Sequence, residues 1–207
     1  GIQACFDQDD ASDVSGRVQL ENLSGLMDGM CVSLSKSLDR PLHVVHWVDA
    51  RASGQMLCLR HCLNLASRAT LNLTHWVVGA SAVQCGLNVS FNADLAIEAR
   101  CQVVRIQDMS DGMLLMASDD VVLAKQSVYD CFDLNLGRGQ AYQCYQVDLK
   151  GVGGRCDLRG VFDLDHQQQM IYPVRVDHQA AHTVSNQQFC ALAKDEASGA
   201  IESRVIV

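Results

Sequence analysis

Apolar and polar residues alternate along most of the chain with a period of two. Alternation that also favours branched and aromatic side chains is typical of strands with one buried face. It predicts strands over residues 17–21, 42–48, 55–59, 71–76, 86–91, 101–106, 131–136, 142–147 and 158–162. Helical spacing is rare, and its best example is 187–203. We therefore expect an all-β fold with a short C-terminal helix or coil.

One hairpin can be placed by counting residues. A two-residue loop at Gly137 and Arg138 would bring Cys131 opposite Cys144 in an antiparallel pair, and a glycine in the first position suits a type II′ turn. The facing thiols would form either a cross-strand disulfide or a pair of small buried apolar side chains. We favour the second, because disulfides are rare in the cytosol.

The chain also contains an internal repeat. Residues 17–30 align with residues 100–113, and a Cys-x-Leu-x-x-x-Phe-x-x-Asp pattern occurs at both 85–94 and 156–165. Matches in the same order indicate two modules with one ancestor. We expect domains at residues 1–95 and 96–180, followed by a C-terminal extension at 181–207.

The turn at 107–115, Gln-Asp-Met-Ser-Asp-Gly-Met-Leu-Leu, and the strand at 160–165 resemble characteristic parts of the PilZ family of small β-barrels. Asn22-Leu-Ser24 resembles the same turn in the first copy. The resemblance implies two tandem PilZ-like β-barrels, of which the first is degenerate. It also implies a non-catalytic adaptor that links cyclic di-GMP to motility, pilus or exopolysaccharide machinery through a protein partner.

The resemblance also implies a set of ligand-binding residues. Arg100 and Arg105 would contact phosphate or guanine, and Asp108, Ser110 and Gly112 would form the binding turn. The family also needs an Arg-x-x-x-Arg arm ahead of the barrel, which neither copy has. We therefore expect weak cyclic di-GMP binding or none, and no other cofactor.

Composition narrows the classes of partner and compartment. With 48% hydrophobic residues, 19% charged residues and a formal net charge of −8, the chain can build a core and is a poor match for nucleic acid. It lacks an apolar run long enough to insert into a membrane. The 10 cysteines leave two locations open. We expect a cytoplasmic protein, and the alternative is a periplasmic or secreted, disulfide-stapled adhesin or receptor-binding protein.

Soft metal-ligand types occur at His43, His46, Cys58, His61 and Cys62. Their spacing is not that of a zinc knuckle. On a strand, Cys58 and Cys62 would share one face and His61 would lie on the other, so we expect core thiols and a surface histidine. No motif for acid–base or nucleophilic catalysis occurs, and the sequence predicts neither a metal site nor an enzyme.

Overall fold

The computed structural model describes residues 28–80 and 83–207. In these residues the chain forms thirteen strands and one short 3₁₀ helix, Ala50–Ala52. The strands are β1 Asp28–Leu34, β2 Leu42–Val48, β3 Met56–Leu65, β4 Thr70–Gly79, β5 Cys85–Leu95, β6 Arg100–Asp108, β7 Met113–Leu123, β8 Val128–Asn135, β9 Gln140–Leu149, β10 Arg155–Leu164, β11 Gln169–His178, β12 Val184–Ala193 and β13 Ser198–Ile206.

The strands form two parallel sheets that the chain visits in turn. The six even-numbered strands form one sheet, and the seven odd-numbered strands, beginning with β1, form the other. Asp28 on β1 pairs with Leu59 on β3, and Leu114 on β7 pairs with Gln140 on β9, so each strand pairs with the one that follows a full turn later. The fold is therefore a parallel β-solenoid with two facing sheets.

Short corners carry the chain from one sheet to the other. At one corner, residues with left-handed backbone recur once per turn, at Arg68, Glu98, Gln126, Gly153 and His182. The first four each donate a backbone hydrogen bond of 2.9 to 3.2 Å to a carbonyl in the corner of the next turn. The corners therefore stack as regularly as the strands do, and they hold successive turns in register.

Inward-facing side chains of both sheets fill the interior. Aliphatic, aromatic and cysteine side chains from β1 to β11 form one continuous buried core. Phe162 on β10 packs against Tyr172 on β11, with ring centroids 5.1 Å apart. Burying these alternate positions stabilises the fold by about 25 cal/mol for each Å² of apolar surface removed from water. The apolar positions of the period-two pattern are therefore the residues that face the interior.

The alternating segments from residue 42 onward lie largely in strands, as predicted. The prediction of two PilZ-like barrels is wrong. A barrel closes one sheet upon itself, whereas here each chain segment crosses to the opposite sheet. The helix expected at 187–203 is also wrong, since these residues belong to β12, its corner and β13. Within residues 28–80 and 83–207, no helix is long and apolar enough to span a bilayer.

The predicted hairpin is wrong for the same reason. Gly137 and Arg138 lie in the corner between β8 and β9, which belong to different sheets. Their backbone amides donate to Gln107 and Met109 in the preceding turn, at 3.2 and 2.7 Å. Cys131 and Cys144 are both buried free thiols.

The twofold repeat does not describe the fold either. Cys85 and Phe91 lie on β5 in the seven-stranded sheet, whereas Cys156 and Phe162 lie on β10 in the six-stranded sheet. All four side chains are buried, so the matched pattern is that of an inward-facing strand. Domain boundaries after residues 95 and 180 stay a prediction. Most of the 17–30 segment and Asn22–Ser24 lie outside the described residues.

Candidate functional site

Charged and polar side chains replace apolar ones in the middle of the solenoid interior. Arg105 on β6 and Asp133 on β8 are register partners in the six-stranded sheet. Asp119 on β7 and Tyr145 on β9 are register partners in the facing sheet. All four side chains point inward and are almost fully buried. We call these four residues the interior network.

Direct hydrogen bonds link the interior network across the two sheets. The guanidinium of Arg105 donates to both carboxylate oxygens of Asp119, at 2.7 and 2.9 Å, and its Nη1 lies 3.6 Å from Oδ1 of Asp133. Arg105 also donates to the hydroxyl of Tyr145, which donates to Oδ2 of Asp133 at 2.6 Å. Tyr172 donates to the same oxygen. Every charged group of the network is therefore partnered.

Burial and pairing set the protonation of these groups. Burial raises the pKa of Asp119 to about 6, and the attraction of Arg105 opposes that rise. Burial works against the charge of Arg105, but Asp119 and Asp133 hold its pKa well above the ordinary value. Two carboxyl groups face one permanent cation, so the fully ionised network carries one net negative charge.

Side-chain amides continue the network toward the C-terminal ends of β6 and β8. Gln143 donates to Asp119 Oδ2 at 3.3 Å and to the Tyr145 hydroxyl at 3.0 Å. Gln107 donates to Gln143, and Asn135 donates to Gln107 at 3.4 Å. Buried polar groups are tolerated when they are hydrogen-bonded. The chain therefore maintains a hydrophilic layer inside an otherwise apolar solenoid.

The structure separates the two predicted arginines. Arg100 is the exposed first residue of β6, while Arg105 points into the core, with 3% of its surface accessible. Asp108 ends the same strand, about 26 Å from Arg100 at the usual strand rise. The two guanidinium groups and the predicted turn therefore do not meet around a common ligand.

The other predicted residues do lie together. Asp108, Ser110 and Gly112 line an open surface hollow at the corner between β6 and β7, beside Arg138. The Ser110 hydroxyl donates to the carbonyl of Val83 at 3.2 Å, so it ties two corners together. A Cβ at position 112 would lie 2.7 Å from the same carbonyl oxygen, which explains the glycine by close packing of the corners.

Three histidines meet in the interior at the β2–β4 end of the solenoid. His46 on β2, His61 on β3 and His75 on β4 place one ring nitrogen each within 4.8 Å of the others. We call them the histidine cluster. The faces predicted for β3 are confirmed, since His61 points inward and Cys58 and Cys62 point outward. The expected surface position of His61 is wrong, and the two thiols are only half-buried.

The described cysteines are all free thiols: Cys31, Cys58, Cys62, Cys85, Cys101, Cys131, Cys144, Cys156 and Cys190. Burial raises the pKa of Cys101 to about 12 and also raises that of Cys156. Among the nine, only Cys190 is exposed. It lies on β12, which pairs with β10 alone in the described residues and so forms the edge of its sheet.

The fold defines a parallel β-solenoid protein with a polar layer inside an apolar core and an accessible thiol at one edge. A model of the family described as SUF system FeS cluster assembly, SufBD core domain, matches residues 47–207. The match extends from the end of β2 through β13, and the chain belongs to the SufBD core domain family. A search of curated proteins finds no match.

The family match corrects the functional interpretation of the sequence. PilZ membership is wrong, and so are the cyclic di-GMP adaptor and the adhesin alternative. The turn at 107–115 resembles the PilZ motif because Asp, Ser and Gly are also the ordinary residues of a tight corner. The match does not support cyclic di-GMP as a ligand, and membership of a family described by a multi-component assembly system agrees with the expected protein partner.

Proposed function

We propose that this chain is a non-catalytic scaffold subunit of a cytoplasmic iron–sulfur cluster assembly system, which holds a cluster as cargo together with a protein partner. The family match over residues 47–207 carries this proposal. None of the nine described cysteines forms a disulfide, which supports a reducing compartment.

The thiols indicate where the cargo would bind. Iron–sulfur clusters are held mainly by cysteine thiolates. Thiols with strongly raised pKa values, such as those of Cys101 and Cys156, do not ionise near neutral pH. Cys190 is exposed on the outward face of β12 and can reach a cluster without any change in the core. One thiolate does not complete the coordination of a cluster, so the partner would supply the remaining ligands.

The same edge supports a protein contact. In the described part of the chain, β12 and β13 each pair with one strand only, which leaves backbone groups along their outer edges available for strand addition. Leu192 on β12 and Val205 on β13 expose 64% and 48% of their surface. Backbone edge, apolar side chains and the Cys190 thiol therefore lie on one end of the solenoid.

Anaerobic reconstitution tests the cargo. The full chain is incubated with ferric iron, sulfide and an excess of a small thiol, which reduces part of the iron and completes the coordination, and the visible charge-transfer absorption is recorded. We expect the absorption to develop on the native protein and on the Cys58→Ser control, and to be lost in Cys190→Ser. Equal absorption in Cys190→Ser and in the native protein would overturn the assignment of Cys190, and the absence of a cluster on the native protein would contradict the cargo role.

A further inference from the structure

The histidine cluster has the dimensions of a metal site. Nε2 of His46 and Nε2 of His61 are 3.0 Å apart, and the His75 ring packs edge-on against both, with centroids 5.0 and 5.3 Å away. Two imidazole nitrogens on one tetrahedral zinc-like ion lie roughly 3.3 Å apart, given metal–nitrogen bonds of about 2.0 to 2.1 Å. Small side-chain rotations would bring all three nitrogens to such an ion.

Both ring nitrogens of His75 are available to bind a metal ion. Only 3% of its surface is exposed, and neither ring nitrogen has a hydrogen-bond partner among the described residues. An imidazole buried without a partner is costly unless it serves a ligand.

We propose that His46, His61 and His75 bind a divalent first-row transition-metal ion inside the solenoid, with a fourth coordination position open. Three imidazole nitrogens suit Zn²⁺, Co²⁺ or Fe²⁺ and discriminate against Mg²⁺ and Ca²⁺, which prefer oxygen ligands. This inference is independent of the proposed scaffold role.

A positive charge lies near the histidine cluster, but it is paired. Phe91 contacts the histidine cluster, with its ring centroid 6.5 Å from that of His75, and the Arg105 guanidinium lies 5.4 Å from the same Phe91 ring. Asp119 and Asp133 pair with this guanidinium, and their negative charges reduce its repulsion of an ion bound by the cluster.

The site also has an approach from the surface. His46 is only partly buried, in contrast to His61 and His75. It lies on β2, an edge strand of the six-stranded sheet in the described residues. An ion can therefore first meet His46 and then the two interior rings.

Cobalt titration of the full, untagged chain tests the proposal. We expect about one Co²⁺ per chain, with intense d–d absorption typical of tetrahedral nitrogen coordination, displacement by Zn²⁺ and no displacement by Mg²⁺. His46→Ala and His61→Ala are each expected to raise the Co²⁺ dissociation constant at least about tenfold. His43→Ala, an exposed position on the outward face of β2, is the matched control and is expected to bind as the native chain does.

Circular dichroism and thermal melting of each variant without metal separate loss of ligand from loss of fold. His46→Ala is decisive because its partly buried side chain can be removed with little effect on the core. Native-like cobalt binding by folded His46→Ala would overturn the proposal. So would thiolate-to-cobalt charge transfer in the native protein, or equal loss of binding in His43→Ala.

Discussion

Arg105 and Asp119, from facing sheets, form a two-pronged ion pair with hydrogen bonds of 2.7 and 2.9 Å in the solenoid interior. Removing one partner of such a pair leaves an unpaired buried charge, which costs about 3 to 5 kcal/mol. We expect Arg105→Leu to lower the free energy of unfolding in urea by that amount. The control is Arg159→Leu, whose exposed pair with Asp130 contributes at most about 1 kcal/mol. Similar losses of stability in Arg105→Leu and Arg159→Leu would contradict the larger contribution of the buried ion pair.

The raised pKa of Asp119 predicts a dependence of stability on pH. The folded-state value of about 6 lies above the ordinary 3.8, so the folded protein binds this proton more tightly than the unfolded chain does. The stability of the native protein relative to Asp119→Asn is therefore expected to rise as the pH falls from 7 to 4, by at most about 3 kcal/mol, and to lose this gain above pH 6. Urea unfolding of both proteins at several pH values measures this difference in stability. A difference that stays constant with pH would contradict the raised pKa of Asp119.

Gln126 has a left-handed backbone, with φ of 55°, in the stacked corner where the next turn has Gly153. A non-glycine residue in this region is strained, by about 1 to 2 kcal/mol. We expect Gln126→Gly to raise the melting temperature, because the relief of strain exceeds the entropy that glycine loses on folding. Gly153→Ala is the reverse experiment and is expected to lower it. A lower melting temperature for Gln126→Gly, or a higher one for Gly153→Ala, would contradict the role of the left-handed backbone at this corner.

Gly160 faces the interior of β10, and its missing Cβ makes room for aromatic rings. An added Cβ would lie 2.6 Å from Cζ of Phe162 and 3.0 Å from Cδ1 of Phe189. Gly160→Ala is therefore expected to destabilise the protein by about 1 to 3 kcal/mol. At Gly86, by contrast, the nearest atoms belong to the end of the Met56 side chain, which is half-exposed and can move. Calorimetric melting is expected to show a clear loss for Gly160→Ala and a small change for Gly86→Ala.

Thiol titration separates the cysteines by exposure. The denatured chain, without reductant, is expected to show at least nine reactive thiols. In the native state, Cys190 is expected to react first, because it is exposed while the others are buried or half-buried. Cys190→Ser is expected to lack this fast phase in the native state. In the denatured chain, fewer than nine reactive thiols would indicate a disulfide.

The strands were predictable from sequence, but their arrangement was not. Residues 42–48 alternate because Val44, His46 and Val48 face inward, and this pattern gives β2 its observed bounds. Parallel and antiparallel strands alternate in the same way, however, and the corner containing Gly137 has the composition of a hairpin turn. Only the hydrogen bonds to the preceding turn distinguish the two.

A signal of the solenoid was present in the spacing of polar residues. His46, His61 and His75 follow one another at nearly equal intervals, and Arg105, Asp119 and Asp133 recur at the same interval. This interval is half of a turn, so each such residue moves to the facing sheet at nearly the same level. The offset between Cys85 and Cys156 is close to a whole number of such intervals, which explains the apparent twofold repeat. The opposite orientations of Arg100 and Arg105 follow from their odd separation on a strand, but which of the two faces the interior was not predictable from sequence.

The pairing of every strand with the one a full turn later has a consequence for insertions and deletions. Adding or removing one whole coil leaves every remaining rung with the same kind of neighbour above and below. One extra residue inside a strand, by contrast, sends its interior side chains outward and its solvent-facing ones inward. Such a molecule can lengthen or shorten only in steps of a full coil.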